Sequence, residues 1–369
     1  MEPTRASSAS AKTALGKARV KSLETLTARL RNLQAQTAEV GTTDVLLRSL
    51  EGAAIQTWRE RARQRGEEWV YVASPDGTTL HALDEPSELA EEDPAAAVVY
   101  PEVHSRLVAW WLIHAWRGAD LLEDTIENLL KWRITSGAVT ARALVEEAGS
   151  LVDEALKLSH AWKVGKATPA HVLTRPASIR GLLAPILVQA SFGSRMKISH
   201  ETLKATNVLT LVQKLSKVTG DARFEEWYDW LSDAAHPALG ARIAFASPPM
   251  VHDSGAVTAR CYARAPLLLT SDGETSQMEP TIALIIADAM LASGEVIADV
   301  LDQSLAVVDD VGLTTAAATL TRRTYWRNLI PVRGNRACPC GRGRWRDCRH
   351  WWKETAPSIE VPRTSPRAP

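Results

Sequence analysis

Three of the chain's four cysteines fall within eleven residues near the C-terminus, and a histidine follows two positions after the last of them. These residues form two closely spaced pairs, Cys338-x-Cys340 and Cys348-x-His350. Thiolate and imidazole ligands at this spacing suit a tetrahedral zinc ion. Glycines between the pairs allow a short loop to fold back, so that both pairs reach one metal. The sequence therefore predicts a small zinc-binding module with these four side chains as its ligands.

Two other interpretations of the cysteine cluster remain open. The thiols could be free and their clustering accidental, or the site could be a catalytic zinc centre, which keeps one coordination position open. Four ligands on so short a loop favour a closed, structural site. The remaining cysteine, Cys261, has no cysteine near it in the sequence, and we expect it in the core.

The cluster resembles the SEC-C motif, a small zinc-binding tail known from the bacterial preprotein-translocase ATPase and appended to many unrelated bacterial proteins. Asn335 and the run Cys338-Pro339-Cys340-Gly341 match that motif, and Gly343-Arg344-Trp345 follows its small, basic, aromatic order. The chain departs from the motif at Ala337 and Arg342, which replace a proline and a serine, and Cys348 lies one position early. The resemblance implies bound zinc, and it covers only residues 333–350.

Arginines crowd this C-terminal region, although the whole chain has a formal net charge of zero. Asp347 is the only acidic residue between positions 322 and 349. One interpretation is a basic surface for RNA, DNA or an acidic protein partner, with aromatic rings available for stacking or cation–π contact. The other is that the tryptophans pack the module while the arginines are merely solvated. The candidate partner-binding residues are Arg342, Arg344, Trp345 and Arg346.

The rest of the sequence indicates a cytoplasmic protein without a membrane partner. Few, clustered cysteines are unlike a secreted disulfide framework. The N-terminal residues lack the apolar stretch of a signal peptide. The most apolar run, residues 107–116, is too short to span a bilayer.

Hydrophobic periodicity predicts a mainly α fold, in which a multi-helix body carries a small β-hairpin or β element and a C-terminal zinc knuckle. We expect a buried helix over residues 101–133, a helix over 200–218, and a long helix over 279–308 followed by a shorter one. The N-terminal leucine stripe from Val20 to Leu33 is expected to pack on the protein's own body. The predicted divisions are a disordered N-terminus (1–12), N-terminal helices with a small hairpin (13–94), a helical body (95–331), the zinc knuckle (332–352) and a disordered tail (353–369).

Two segments of the body, residues 141–148 and 228–237, resemble the helical HEPN-like domains of bacterial defence and toxin systems. Active members of that superfamily are ribonucleases with an arginine four to six residues before a histidine, and Arg195 and His200 have this spacing. The resemblance makes Arg195, His200 and His236 candidate catalytic residues. Chance alone predicts about as many arginine–histidine matches as the chain contains, so the spacing by itself carries no weight.

Polar residues also recur at helical spacing in the second of these segments. Tyr228, Ser232 and His236 lie four apart and share a helix face. We expect them to form a hydrogen-bonded row with Glu146 from a neighbouring helix, and a buried network that sets helix packing is the favoured interpretation.

These observations lead to two hypotheses about function. The first is a zinc-binding cytoplasmic protein, more a binding protein than an enzyme, whose basic knuckle contacts a macromolecule. The second is a HEPN-like ribonuclease of a bacterial defence system.

Overall fold

A computed structural model describes residues 8–38, 49–50, 71–73, 80–82, 94–167, 175–197, 203–237, 239–243, 250–251, 258–259, 281–328 and 356–363. Several residues singled out by the sequence lie outside these ranges. They are His200, Cys261, the four predicted zinc ligands Cys338, Cys340, Cys348 and His350, and the candidate partner-binding residues Arg342, Arg344, Trp345 and Arg346.

The described chain is mainly helical, as the sequence predicts. Its helices are α1 (Ser8–Ala38), α2 (Pro94–Leu130), α3 (Ile134–Ala167), α4 (Arg175–Phe192), α5 (Val208–Thr219), α6 (Arg223–Ala235), α7 (Leu239–Ile243) and α8 (Thr281–Asn328). Among the described residues, no helix combines the length and apolarity needed to cross a bilayer.

The strands are only two or three residues long. They are β1 (Ser49–Leu50), β2 (Tyr71–Ala73), β3 (Leu80–Ala82), β4 (Met250–Val251) and β5 (Thr258–Ala259). β3 lies between β1 and β2 and pairs antiparallel with both, while β4 and β5 form a separate antiparallel pair.

Three long helices, α2, α3 and α8, pack against one another and form the centre of the body. α3 is the most enclosed, because it also contacts α4, α5 and α6. Small residues on α3 let its neighbours approach closely, and long aliphatic side chains fill the space between the helices. The residues of α3 with no exposed surface include Ala138, Ala141, Leu144, Val145, Ala148, Leu151, Val152 and Ala155.

α1 lies across α2 and α8 and contributes its leucine stripe to the same core. Leu23, Leu26, Leu30 and Leu33 are each no more than 4% exposed, which confirms that the stripe packs on the protein's own body. Arginines of α1 pair with acidic groups of α8 and α2: Arg19 with Asp288, Arg29 with Asp299 and Arg31 with Glu123.

The two chain ends differ from the prediction of disorder. At the N-terminus α1 already begins at Ser8, and Ala11 is buried in the core. Near the C-terminus, residues 356–363 lie against the body, so predicted disorder is wrong for these residues. Ile359 is buried, and the main chain of Glu360 forms two hydrogen bonds with the side chain of Gln303, of 2.7 and 2.8 Å. This segment contains prolines, which are typical of disordered tails. The buried Ile359 and the hydrogen bonds between Glu360 and Gln303 nevertheless hold the segment against the body.

Two helix boundaries also differ from the prediction. The last long helix does not end near Val308 but continues to Asn328. Gly312 follows the predicted end, but one glycine at that point costs only about 1 kcal/mol and does not stop a helix. α5 begins at Val208 instead of near residue 200. Asn207 ends the preceding loop there, since its side chain accepts a hydrogen bond from the Leu209 amide (3.0 Å) and caps the helix.

The tryptophans of α2 divide between the core and the surface. Trp110 and Trp111 are buried, and the Trp111 Nε1–H donates to the carbonyl oxygen of Leu301 in α8 (2.8 Å). Trp116 is 49% exposed, so the predicted burial of the helix over residues 101–133 is wrong at Trp116. The apolar surface of α2 therefore faces α8 and α3 but does not extend around the whole helix.

Replacing Trp111 by alanine should lower the free energy of unfolding by about 3–5 kcal/mol, because it opens a cavity and leaves the Leu301 carbonyl without its donor. The matched control is Trp116→Ala in the same helix, which should cost less than about 0.5 kcal/mol. Urea denaturation monitored by circular dichroism measures both values. A loss below about 1 kcal/mol for Trp111→Ala would show that the α2–α8 contact is not central to the fold.

Candidate functional site

A cavity of about 360 Å³ lies between α2, α3, α4 and the start of α5. Its floor carries the largest group of buried charges in the described part of the chain. We call the surface around His114 of α2 and the glutamates Glu147 and Glu154 of α3 the floor of the cavity. The cavity is therefore the place in the described structure where charge, burial and access to solvent coincide.

His114 sits between the two glutamates and contacts one with each ring nitrogen. Its Nδ1 lies 2.5 Å from Glu147 Oε1, and its Nε2 lies 3.0 Å from Glu154 Oε2. Burial by itself lowers the pKa of His114, but the hydrogen bonds and negative charges of Glu147 and Glu154 outweigh burial and raise the pKa to about 9. His114 is therefore an imidazolium at neutral pH and donates a hydrogen bond to each glutamate.

Other donors satisfy the remaining oxygens of the two glutamates. Arg117 Nε lies 2.7 Å from Glu147 Oε2. Glu154 accepts hydrogen bonds from Trp110 Nε1 (2.8 Å) and from the Ser150 hydroxyl (2.9 Å). Burial raises the pKa of Glu154. The hydrogen bonds and charge of His114, together with these donors, lower it by a larger amount, so the net shift of the pKa is downward. Glu154 is consequently ionised, and the hydrogen bonds fix the positions of both carboxylates.

This arrangement restricts what the floor can do chemically. Both ring nitrogens of His114 are engaged by carboxylates, so no lone pair is available to accept a proton from a substrate or to bind a metal. Within the described ranges no cluster of histidine, cysteine or acidic residues has the arrangement of a metal site. The floor therefore supplies a rigid charged surface and is not set up for general acid–base chemistry.

Helical spacing brings the floor residues together. Trp110, His114 and Arg117 recur at four- and three-residue steps on α2. Glu147, Ser150 and Glu154 recur at three- and four-residue steps on α3, so each set forms one stripe and the two stripes face each other. The sequence analysis missed this cluster. The signal was available as a polar stripe inside two helices that are otherwise strongly apolar.

A second charged group borders the cavity on the α3–α5 side. Asp153 is buried, and it pairs with both Lys157 (2.7 Å) and Lys214 of α5. Burial raises its pKa, but hydrogen bonds from the two lysines outweigh burial and lower it. α5 can come this close because Gly149 has no side chain: a Cβ there would lie 3.1 Å from the Leu211 carbonyl oxygen.

Of the two candidate catalytic residues that the structure describes, Arg195 and His236, Arg195 lies at the cavity. It is exposed and makes no hydrogen bond or ion pair with any other described residue. His200, its predicted partner, falls outside the described residues, so the pairing stays a prediction. His236 ends α6, does not line this cavity, and its Nε2 lies 3.4 Å from an Arg142 nitrogen.

The predicted polar row forms in part. The Tyr228 hydroxyl donates to Glu146 Oε1 (3.2 Å), as expected, and accepts from Arg142 (3.0 Å). Arg142 also stacks over the Tyr228 ring, 5.1 Å from its centroid. The Ser232 hydroxyl has no hydrogen-bond partner among the described residues. The sequence analysis missed Arg142, which links the tyrosine, the glutamate and the histidine.

The raised pKa of His114 predicts a stability that depends on pH. A base whose pKa is higher in the folded than in the unfolded chain stabilises the fold when it is protonated in both states. For His114 this stabilisation is complete at pH values below its pKa in the unfolded chain, 6.5. This contribution declines as the pH rises from there through about 9, and its total size is on the order of 3 kcal/mol. The His114→Gln variant lacks the contribution, so it should be less stable than the parent at pH 6.

Urea unfolding of the parent and the His114→Gln variant at several pH values measures this effect, because titrating groups that do not contact His114 cancel in the comparison. We expect the stability gap between them to narrow between pH 6 and pH 10. A gap that stays constant over this range would show that His114 is not held protonated by the glutamates.

Comparisons with known proteins add no further information about the site. No protein-family model, no curated protein and no solved structure matches this chain. The resemblances to the SEC-C motif and to HEPN-like domains consequently rest on the quoted residues alone and stay predictions.

Proposed function

We propose that this protein binds a macromolecular partner, RNA or DNA in the first place, through a C-terminal zinc knuckle carried by the helical body. The observation that carries the proposal is the pair of motifs Cys338-x-Cys340 and Cys348-x-His350 within an arginine-rich segment. The metal would fix the short loop, and a fixed loop presents its arginines at constant spacing. The knuckle is structural in this account, and it performs no reaction.

The flanks of the knuckle support this proposal. On one side α8 extends to Asn328, and on the other Ile359 is buried against the body and Glu360 is bonded to Gln303. The segment that contains the four ligands is thus attached to the body at both ends. Attachment at both ends lowers the entropy that the segment loses when a metal closes the loop.

Charge supports a polyanionic partner. A chain with zero net charge has no global field that attracts nucleic acid, so attraction must come from a local excess of one sign. Residues 342–346 contain three arginines and a tryptophan. Arginine recognises phosphate through bidentate hydrogen bonds, and an aromatic ring stacks on any base.

The purified protein should carry about one zinc ion per chain, because three thiolates and one imidazole complete a tetrahedral set. Replacing Cys338 and Cys348 by serine should abolish the bound zinc. Cys261→Ser is the matched control and should leave zinc content unchanged. Elemental analysis of protein made under reducing, metal-replete conditions measures all three. Protein that contains no zinc under these conditions would eliminate the knuckle.

Binding of single-stranded RNA or DNA should weaken steeply with salt, since each neutralised phosphate releases counterions. Replacing Arg342, Arg344 and Arg346 together by alanine should make the slope of log K against log salt less steep. The expected change is the contribution of up to about three phosphate contacts. Replacing the exposed α1 lysines Lys12, Lys17 and Lys21 removes the same charge elsewhere and should leave the slope unchanged. Fluorescence anisotropy at several salt concentrations measures these slopes.

Two results of that experiment would contradict nucleic-acid binding. One is a parent protein that binds neither RNA nor DNA at low salt, and the other is an arginine variant that binds as the parent does. An acidic protein partner would then be the surviving explanation for the basic knuckle. The Trp345→Ala variant separates two roles for this tryptophan. If Trp345 stacks on bases, the variant binds nucleic acid more weakly with an unchanged salt slope. If Trp345 packs the knuckle, the variant contains less zinc.

The alternative function is a HEPN-like ribonuclease, and one observation favours it. Arg195, the arginine of the predicted pair, lies at a polar cavity in the body. An RNA-hydrolysis assay separates the two functions, with His200→Ala as the test variant and His236→Ala as the second. Hydrolysis by the parent that is lost in His200→Ala supports the enzyme, and binding without hydrolysis supports the knuckle.

A further inference from the structure

We propose that the cavity between α2, α3, α4 and α5 binds a small organic anion through a carboxylate or phosphoryl group, with Arg195 and Lys157 as the anchoring cations. This site belongs to the helical body and is independent of the zinc knuckle. The cavity has the volume of a small-molecule site, about 360 Å³.

The charge balance around the cavity is positive. The floor is neutral, because His114 and Arg117 match the two carboxylates of Glu147 and Glu154. A third acid of the wall, Glu146, is matched by Arg142. The charges that could attract a ligand therefore come from elsewhere in the wall.

Two positive charges at the wall are left unmatched by the described residues. Asp153 is one carboxylate between two ammonium groups, Lys157 and Lys214, so this group carries one surplus charge. Arg195 has no acidic partner among the described residues and supplies the second. Arg142 and Lys214 do not line the cavity themselves, but they pair with two carboxylates that do. When they are counted, six cations match four carboxylates, and the surplus of two positive charges favours an anion with one or two negative charges.

The positions of these cations suit a ligand that enters from solvent. The Lys157 side chain is 41% exposed, and Arg195 is exposed as well. Both can therefore contact an incoming anion, while the buried Asp153 carboxylate holds Lys157 at the wall. Asp153 remains paired with Lys214 if Lys157 turns toward a ligand, so that binding leaves no buried carboxylate unpaired.

The uncharged part of the lining indicates an organic ligand instead of an inorganic ion. Apolar side chains line three of the four helical walls: Ile113 on α2, Ile186 on α4 and Leu211 on α5. Trp110 adds an aromatic ring, which its edge-to-face contact with His114 holds in place (5.3 Å between centroids). A ligand with an anionic head and a small apolar or aromatic body fills both kinds of surface.

Isothermal titration calorimetry on the full-length protein tests the site with simple probes. Phenyl phosphate and benzoate present the two anionic groups on the same ring, and benzamide is the neutral counterpart. We expect at least one of the two anions to bind with one molecule per chain, and benzamide not to bind. Whether phenyl phosphate or benzoate binds more tightly identifies the group that the site prefers.

Variants locate the binding. The double variant Arg195→Gln/Lys157→Gln should bind the preferred anion at least about tenfold more weakly, since it loses both charge-assisted contacts. Arg133→Gln, an exposed arginine that does not line the cavity, is the matched control and should bind as the parent does. Circular dichroism confirms that each variant is folded.

The Arg342→Ala/Arg344→Ala/Arg346→Ala variant should also retain anion binding, which separates this site from the knuckle. The proposal is overturned if neither anion binds the parent, if benzamide binds equally well, or if the double variant binds as the parent does. It is also overturned if Arg133→Gln or the knuckle variant loses binding to the same extent, because the anion would then be attracted by general charge.

Discussion

A buried and a partly buried carboxylate on α3, Glu147 and Glu154, constrain how the neighbouring helix α2 can pack. An ionised glutamate away from water is strongly unfavourable unless cations and hydrogen-bond donors surround it. Glu147 and Glu154 meet this requirement only when His114, Arg117 and Trp110 of α2 lie opposite them. A shift of α2 along α3 by one turn would leave these charges unpaired. The pairing therefore favours a single register of the two helices.

The same principle recurs at the other end of α3. Lys166 is almost fully buried, and its ammonium group pairs with Asp310 of α8 (2.7 Å). Trp162 donates its Nε1–H to the same carboxylate (2.8 Å). α3 is thus joined to α2 by one buried charged cluster and to α8 by another, while its alanines and leucines provide the bulk of the packing. The cavity lies beside the first cluster, where Lys157 and Arg195 keep part of the surface hydrated.

The fold class, the helices and the core of α1 could be predicted because they depend on periodicity alone. Leucines at three- and four-residue steps identify the buried face of α1 whatever lies opposite. What depends on distant partners could not be predicted in this way. Trp111 and Trp116 belong to the same apolar run of α2, yet the positions of the neighbouring helices decide which of them is buried. The order of residues 356–363 likewise depends on Gln303 and on the pocket for Ile359, more than fifty positions away.

The site shows the same division. The link between Tyr228 and Glu146 was predicted, since helical spacing placed the row on one face and left a glutamate as its partner. Arg142 was missed, although it lies one helical turn before Glu146. The His114 cluster was missed because a histidine within an apolar run has no evident partner until α3, 33 positions away, folds against it. Motif spacing identifies ligands that are close in sequence, such as the predicted zinc set, and not clusters assembled across helices.

The protonation state of His114 is the most direct test of this account, because the ionised glutamates, the register of α2 and the neutral cavity floor all follow from it. Heteronuclear NMR of histidine-labelled protein reports the two ring nitrogens separately as the pH is raised. The account predicts that the His114 ring stays an imidazolium, with both N–H groups present, until the pH approaches about 9. A His114 ring that loses its proton near 6.5, as in an unfolded chain, would contradict it.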